Sequence, residues 1–562
     1  MHRLVECVPN FSEGRDKRIL DSIADAIRTV DGVELLNIDP GADTHRTVFT
    51  FVGAPESILE AAFQAIATAT RLIDMTRHTG AHPRLGATDV CPFVPVSGVT
   101  MDECVELSRK LGERVGSELG IPVFLYEYAA SSPERKNLAT IREGEYEGLA
   151  AKIVSPEWKP DFGPAVFNPR SGATVIGARK FLIAYNINLN TRNRKLAHQI
   201  ALDIRERGRF IRDADGKFVL DETGQKVSKP GLLKECKAVG WFIETYDKAQ
   251  VSINLTDFEK TPPHEAFDTC VEVAQGYGVR VTGSEIVGLI PLEALRMAGH
   301  HYLKQQGQSS GVPERMLVAT AIQSLGLAEL SPFIPEERII EYRVAGKQKK
   351  LVDLTCKSFA DELSTDSPAP GGGSVAALCG ALASALAAMV GNLTIGKKGY
   401  LDVTDRMMRV AEHGQSLKDS FIADVDRDTD AFNNLMSCFS MPKKTPEQKE
   451  SRQNAIQEAT KQATLIPLGV LERSIPVLDL AMEVARHGNQ NSLSDSGVSI
   501  LAASTAGEGA FLNVRINLRS ITDSEFTKTV TERSEWLLKT LRAKVAEGLS
   551  EVHDRLGIHL VS

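Results

Sequence analysis

A strand–helix–strand–strand–helix–strand order occurs twice in the first half of this chain, and it restricts the fold more than any other feature. Residues 2–8 read as a strand, and Ile19, Leu20, Ile23 and Ile27 mark one face of a helix over Asp16–Thr29. Strands Val33–Ile38 and Arg46–Val52 flank a turn at Asp39-Pro40-Gly41, and a helix over Pro55–Leu72 leads to a buried strand at Val90–Val94. A helix (Met101–Glu118) and a strand (Val123–Tyr126) extend this unit. The order then recurs: strand Thr174–Asn188, helix Arg192–Arg207, strands Ala238–Glu244 and Gln250–Leu255, helix His264–Tyr277, strand Val279–Thr282. Asp213–Lys229 reads as an exposed hairpin insertion. The pattern predicts tandem ferredoxin-like units with a ligand cleft between them.

Beyond Ile340 the grammar changes. RVAGKQKK (Arg343–Lys350) reads as a polar linker, and from Asp353 onward nearly everything has helical periodicity. The expectation is an α+β N-terminal half of tandem β-α-β-β-α-β units joined to an all-α C-terminal helical domain, with segments 1–181, 182–342, a linker at 343–352, and 353–562. Ser374–Leu393 carries no charge and is long enough to span a bilayer, but its Ala, Gly and Ser content favours a helix buried on all sides. A formal net charge of -8 argues against a nucleic-acid partner. The 8 cysteines, without paired close spacing, fit reduced thiols of a cytoplasmic protein, and the first residues show no signal-peptide core.

HTGAHPRLGATDVCPFVP (His78–Pro95) is the most chemical stretch of the first half. Pro83 excludes a regular helix and biases His82 toward extended backbone, which puts His82 on a fixed loop feeding a strand. An imidazole there is either a general base near neutral pH or a structural cap of the turn. His78, His82 and Asp89 are poor metal ligands as a set, because Gly80 and Pro83 break the helix an H-x₃-H pair needs. DFGPAVFNPRSGATVIGARKFLIAYNINL (Asp161–Leu189) opens with a Gly- and Pro-punctuated loop, either a backbone-lined ligand surface or a plain connection.

In the second half, STDSPAPGGGS (Ser364–Ser374) places three glycines before a helix, where free N–H groups suit an anion; such a step also serves as a flexible cap. DVDRDTDAF (Asp424–Phe432) sets Asp424 and Asp428 on one helical face and Asp426 and Asp430 on another. Like charges this close raise one another's pKa, so one carboxyl can hold a proton, unless the run is simply a solvated face. Asn489–Ser494 and Gly507–Asn517 add polar groups without an assigned role.

These segments, with CVPNFSEG (Cys7–Gly14) and the Asp39 turn with Arg46, resemble the formimidoyltransferase-cyclodeaminase family over nearly the whole chain. The departures are Asp213–Lys229 and the Gln306–Glu314 loop, both read as surface loops. The resemblance implies two activities: transfer of the formimino group of N-formimino-L-glutamate to tetrahydrofolate, then cyclisation and deamination to 5,10-methenyltetrahydrofolate and ammonia. It implies His82 as acid–base catalyst, and Asp39 as partner of the formimino group or of His82 unless it only caps its turn. Arg46 or Arg84 would hold a substrate carboxylate. Folate contacts fall on Gly163, Pro164, Ala165, Val166, Phe167, Asn168, Pro169, Arg170, Ser171 and Gly172. Asp428, with Asp426 next, would be the cyclodeaminase acid. Tetrahydrofolate in polyglutamylated form is the implied co-substrate, with no metal, and the implied assembly is a ring-shaped homo-oligomer. The basic junction (Arg343, Lys347, Lys349, Lys350) is either a polyglutamate guide or a solvated linker. Two alternatives stand beside this reading: a transferase whose helical domain only assembles, and a folate-binding scaffold without turnover.

Overall fold

The computed structural model describes the chain apart from residues 1–2, 43–44, 81–82, 214, 222–223, 225, 346–349, 368 and 559–562. It divides into two compact units, Met1–Pro291 and Leu292–Ser562.

The first unit opens with β1 (Leu4–Cys7), β2 (Asn10–Phe11), α1 (Lys17–Arg28), β3 (Val33–Gly41), β4 (Arg46–Gly53), α2 (Pro55–Leu72) and β5 (Thr88–Ser97). It continues with α3 (Met101–Glu118), β6 (Val123–Glu127), α4 (Leu138–Ile141), α5 (Glu145–Lys152) and β7 (Thr174–Ala178). β1 and β2 lie between β4 and β5, antiparallel to both; β3 is the edge beyond β4, and β7 and β6 continue parallel beyond β5. The strand order β5-β1-β4-β3 with its two helices is the ferredoxin-like arrangement, widened by β7 and β6. Asp16 caps α1 by accepting the Arg18 N–H, and the apolar face beyond it buries Leu20, Ile23, Ala24 and Ile27. These join Ile58, Ala62 and Ile66 of α2 and Phe49, Phe51 and Phe93 of the sheet in one core. Each Ile or Phe so buried contributes about 1.5–3 kcal/mol.

The second sheet is built from β8 (Ile183–Leu189), α6 (Arg194–Ile204), β9 (Arg209–Phe210), β10 (Ser228–Lys229), β11 (Cys236–Ile243), β12 (Lys248–Leu255), α7 (Pro263–Gly276) and β13 (Val281–Val287). Its order is β11-β12-β8-β13, antiparallel throughout, which repeats the first arrangement. The pair β9–β10 carries the expected insertion as a separate two-stranded ribbon.

Two elements differ from the sequence expectation. Thr174–Asn188 is two strands in two sheets: β7 completes the first, the chain crosses at residues 179–182, and β8 starts the second. Asp39-Pro40-Gly41 is the end of β3, with Asp39 paired to Val48 and Gly41 to Arg46. Proline is tolerated there because β3 pairs only with β4, so no ladder bond needs its missing N–H.

The second unit contains α8 (Leu292–Gln305), α9 (Glu314–Ser324), α10 (Pro335–Arg338), α11 (Ile340–Ala345), α12 (Cys356–Leu363), α13 (Gly372–Thr394), α14 (Thr404–Phe439), α15 (Pro446–His487), α16 (Leu493–Leu518) and α17 (Ser524–Leu556). Packing therefore groups residues 292–345 with the helical unit, whereas the sequence reading ends its second segment at 342. Helix α13 is long and apolar enough to cross a membrane, and it packs against α14, α15 and α16 with most of its length buried. Its small residues permit that approach. A Cβ on Gly380 would stand 2.5 Å from the Phe421 ring, and one on Gly414 of α14 would stand 2.9 Å from Ala388 Cβ. The Gln306–Glu314 loop is exposed at Gln306–Gln308 and docked at Gly311: Asn392 Nδ2 donates to the Gly311 carbonyl at 2.7 Å, and Gly311 lies against the backbone of α14 at Ala411.

Candidate active sites

His82 lies outside the described residues, but the chain on either side of it is firmly anchored. Upstream, the His78 ring is buried, with Nε2–H donating to the His45 carbonyl at 2.9 Å and Nδ1 accepting from Arg84 Nε at 3.2 Å. Burial lowers the His78 pKa; its bond to the His45 carbonyl opposes this, while His45 and Arg84 add to it. Downstream, Arg84 is 7% exposed and binds both oxygens of Glu147, at 2.8 and 2.7 Å, with Glu145 at 3.2 Å. A guanidinium engaged in that fork has no face left for a bidentate substrate carboxylate, which corrects the expectation for Arg84. Asp89 is fully buried, accepting the Leu85 N–H at 3.0 Å and pairing with Arg142 at the end of α4. It fixes the loop from below. Arg46 is within electrostatic reach of Asp89, Arg142 and Asp39, and burial is the main cause of its lowered pKa. Asp39 itself is exposed on β3. His78, Thr79, Gly80, Arg84, Gly144, Glu145 and Glu147 line an open depression of about 450 Å³ beside this loop.

The structure clasps the Gly163–Gly172 loop to the same segment. The Ser171 carbonyl accepts the Ala87 N–H at 2.9 Å, the Leu85 carbonyl accepts the Ala173 N–H at 3.1 Å, and Gly86 faces Gly172 in a bridge. Glycine is required at both points. A Cβ on Gly86 would stand 2.3 Å from the Ser171 carbonyl oxygen, and one on Gly172, at φ +66°, would stand 2.1 Å from that of Leu85. Asn168 Oδ1 accepts the N–H groups of Arg170 and Ser171 at 3.1 Å, and Tyr146 O–H donates to the Pro169 carbonyl. The Phe167 ring lies 5.5 Å from that of Tyr146 on α5, the helix whose Glu145 and Glu147 wall the depression. Residues 163–166 stay exposed, Val166 at 66%. Two loops some eighty residues apart in sequence thus form one surface of backbone, aromatic edge and charge.

The cleft expected between the two sheets is a cavity of about 480 Å³ whose lining includes Glu127, Lys136, Arg179, Lys180, Lys237 and Asp257. Lys180 Nζ bridges Asp257 and Glu259 at 2.7 and 2.8 Å, and burial raises the Glu127 pKa.

In the helical unit a carboxyl group of the protein itself occupies the start of α13. Asp428 is directed at that helix N-terminus, receiving the Ser374 backbone N–H and lying 3.1 Å from Ser374 Oγ. A Cβ on Gly373 would stand 2.1 Å from Asp428 Oδ1, so only glycine admits the carboxyl. Burial raises the Asp428 pKa; the Ser374 bonds oppose it and the neighbouring Asp424 reinforces it. Asp424, 2% exposed, is itself paired with Arg427 at 3.1 Å and with Arg473 of α15. Asp426 points elsewhere, accepting the Leu351 N–H at 2.8 Å, and burial raises its pKa despite that bond. The arrangement makes Asp428 a half-buried carboxyl whose protonated form burial favours, and Asp426 a tether for the segment before α12.

Sequence reasoning passed over Glu13, His45, Arg142, Glu147 and Arg473 as participants. Glu13 sits inside the quoted CVPNFSEG segment, but its partner His45 is 32 residues away, and no local spacing signals the pair.

Fold and packing together define a chain of two modules, one α+β with two clasped loops and one helical with a half-buried aspartate at a helix N-terminus. Family models agree: the formiminotransferase domain's N-terminal subdomain matches residues 4–179, the formiminotransferase domain residues 184–345, and formiminotransferase-cyclodeaminase residues 355–535. The chain is 42% identical over 557 residues to formimidoyltransferase-cyclodeaminase of Rattus norvegicus, covering 99% of this chain and 100% of the relative. It is 44% identical over 304 residues to glutamate formimidoyltransferase of Streptococcus pyogenes serotype M1, covering 54% of this chain and 94% of the relative. It is also 40% identical over 184 residues to methenyltetrahydrofolate cyclohydrolase of Methylorubrum extorquens, covering 33% of this chain and 88% of the relative. The chain belongs to the formimidoyltransferase-cyclodeaminase family.

Proposed function

We propose that this chain is a bifunctional folate enzyme. It transfers the formimino group of N-formimino-L-glutamate to tetrahydrofolate, then closes 5-formiminotetrahydrofolate to 5,10-methenyltetrahydrofolate with release of ammonia. Likeness to bifunctional relatives over both units supports the pairing of activities. The observation that supports the transfer step is the clasp between Leu85–Ala87 and Ser171–Ala173, which joins the segment following His82 to the Gly163–Gly172 loop.

In the first reaction nitrogen 5 of tetrahydrofolate attacks the formimino carbon, and the tetrahedral adduct expels glutamate. His82 takes the proton from nitrogen 5 and returns it to the departing amine, a role worth about 10²–10⁴-fold. Asp39, beside Arg46 on the β3–β4 edge, faces the cationic formimino group. The folate lies against Gly163–Gly172. In the second reaction nitrogen 10 attacks the same carbon and the former formimino nitrogen leaves as ammonia. Asp428 protonates it, and burial shifts its pKa in the direction that favours the protonated form. No step calls for a metal. Polyglutamylated tetrahydrofolate as the working co-substrate, a place in histidine degradation, a cytoplasmic location and a homo-oligomeric state complete the proposal. Incubating the protein with formiminoglutamate and tetrahydrofolate, while following methenyl absorbance and ammonia together, tests it; glutamate release without either signal would leave only the transferase.

A further inference from the structure

We propose that Asp424 is a positioning residue of the cyclodeaminase site: it holds the Arg473 guanidinium of α15 away from Asp428, whose carboxyl is thereby left to the start of α13. The inference rests on the reading of Asp428 as the cyclodeaminase acid.

The two aspartates stand one turn apart on one face of α14, which sets their Cβ atoms about 5–6 Å from each other. Their partners differ. Asp424 is 2% exposed and carries a cation on each oxygen, Arg427 at 3.1 Å on Oδ1 and Arg473 on Oδ2. Asp428 takes the Ser374 backbone N–H and lies 3.1 Å from the Ser374 hydroxyl, and it forms no ion pair among the described residues.

Arg473 makes that difference consequential. It reaches from α15 onto α14, with Cζ 5.7 Å from the centroid of the Phe421 ring. Asp424 is its one hydrogen-bond acceptor among the described residues, and its Nε is buried without a partner. Phe421, Asp424 and Asp428 follow one another along a single stripe of the helix, at three- and four-residue steps. The guanidinium therefore stands over the stripe, and Asp424 stops it one turn short of Asp428. A guanidinium with donors to spare pairs strongly with any carboxylate in reach. An arginine within about 4–6 Å lowers a carboxyl pKa by about 1–3 units, and that shift runs against the protonated form that burial favours in Asp428. The charge of Asp424 itself works in the same direction as burial.

The charged groups about Asp428 are Asp424 and Arg427 on its own helix and Arg473 on α15. Helix α13 has none from Gly372 to Thr394. In the segment before α12, Lys350 acts on Asp426 and Asp353 is exposed, and Asp430 of α14 also acts on Asp426.

The test uses the full-length protein as Asp424→Asn, Arg473→Ala, the double variant and Asp428→Asn, assayed for cyclodeamination of supplied 5-formiminotetrahydrofolate across pH. Asparagine keeps the volume of Asp424 but releases the guanidinium. Asp424→Asn is expected to lower kcat at neutral pH by about tenfold or more, with KM within about threefold and the alkaline limb of the kcat profile moved to lower pH by about one unit or more. The double variant, which lacks the guanidinium, should return kcat to within about threefold of wild type and restore the limb. If Asp424→Asn does not fold, added methylguanidine decides: it should slow the double variant, where nothing intercepts it, and spare Arg473→Ala, where Asp424 does. An equal response of those two variants overturns the proposal. With Asp428→Asn inactive, an unmoved limb in Asp424→Asn, or a double variant as slow as that single variant, overturns the positioning role and leaves the site assignment standing. Cyclisation by Asp428→Asn at the wild-type rate overturns both.

Discussion

Replacing Gly373 by alanine separates the two activities by one methyl group. The new Cβ would lie 2.1 Å from Asp428 Oδ1 and 2.5 Å from its Cγ and Oδ2, so the carboxyl has to retreat by about 1 Å or more to reach ordinary contact. Overpacking of this kind costs about 1–3 kcal/mol, and forfeiting the Ser374 N–H costs a similar amount if the carboxyl swings away. Alanine's better helix propensity returns about 0.5–1 kcal/mol. The balance, a net loss of a few kcal/mol at most, leaves a folded unit. The chemical effect is larger, because a displaced acid forfeits about 100-fold or more in rate. With 5-formiminotetrahydrofolate supplied as substrate, methenyl absorbance should therefore rise at least about 100 times more slowly in Gly373→Ala, while formimino transfer is unchanged. Gly372→Ala is the control, since its Cβ meets only Asn513 Nδ2 at 3.6 Å and should be silent. A Gly373→Ala enzyme cyclising within a few-fold of wild type would refute the placement of Asp428 as the working acid.

Gly172→Ala drives a Cβ to 2.1 Å from the Leu85 carbonyl oxygen at a positive φ; transfer should fall by about tenfold or more with folate KM raised, and cyclodeamination should persist. Asp89→Asn leaves Arg142 partly buried without its anion, so the denaturation midpoint of the first unit should drop by the equivalent of about 3 kcal/mol; no change would mean that the pair contributes nothing. Asp428 has a folded pKa raised above its unfolded value, so its favourable contribution is present below the unfolded pKa and lost as pH rises through the folded one. Asp428→Asn should then be more stable than wild type at neutral pH, with the difference vanishing in acid below the ordinary aspartate range; an equal difference at every pH would contradict the burial argument.

Periodicity made the two ferredoxin-like units and the helical half legible, because an apolar face of period three to four repeats through Lys17–Arg28 and Pro55–Leu72 and one of period two through Cys236–Ile243. It failed where two strands abut: Thr174–Ala178 and Ile183–Leu189 are both β-rich, and only the sheet pairings show that they part company. Asp39-Pro40-Gly41 carries turn residues yet ends an edge strand, where proline goes unpenalised. The motif loops around His82 and Gly163 were visible separately, whereas their clasp, the Glu147 fork on Arg84 and the Glu13–His45 pair depend on long-range contacts that no window of sequence contains. The glycine run before α13 showed room for a close acceptor at a helix start, but not that Asp428 fills it.

The most direct measurement follows glutamate, ammonia and methenyl absorbance together from formiminoglutamate and tetrahydrofolate in wild type, His82→Ala and Asp428→Asn. Wild type should yield all three in equal amounts. His82→Ala should yield none yet still convert supplied 5-formiminotetrahydrofolate, and Asp428→Asn should release glutamate alone. Ammonia released at the wild-type rate by Asp428→Asn, or glutamate by His82→Ala, would contradict the division of labour between the two units.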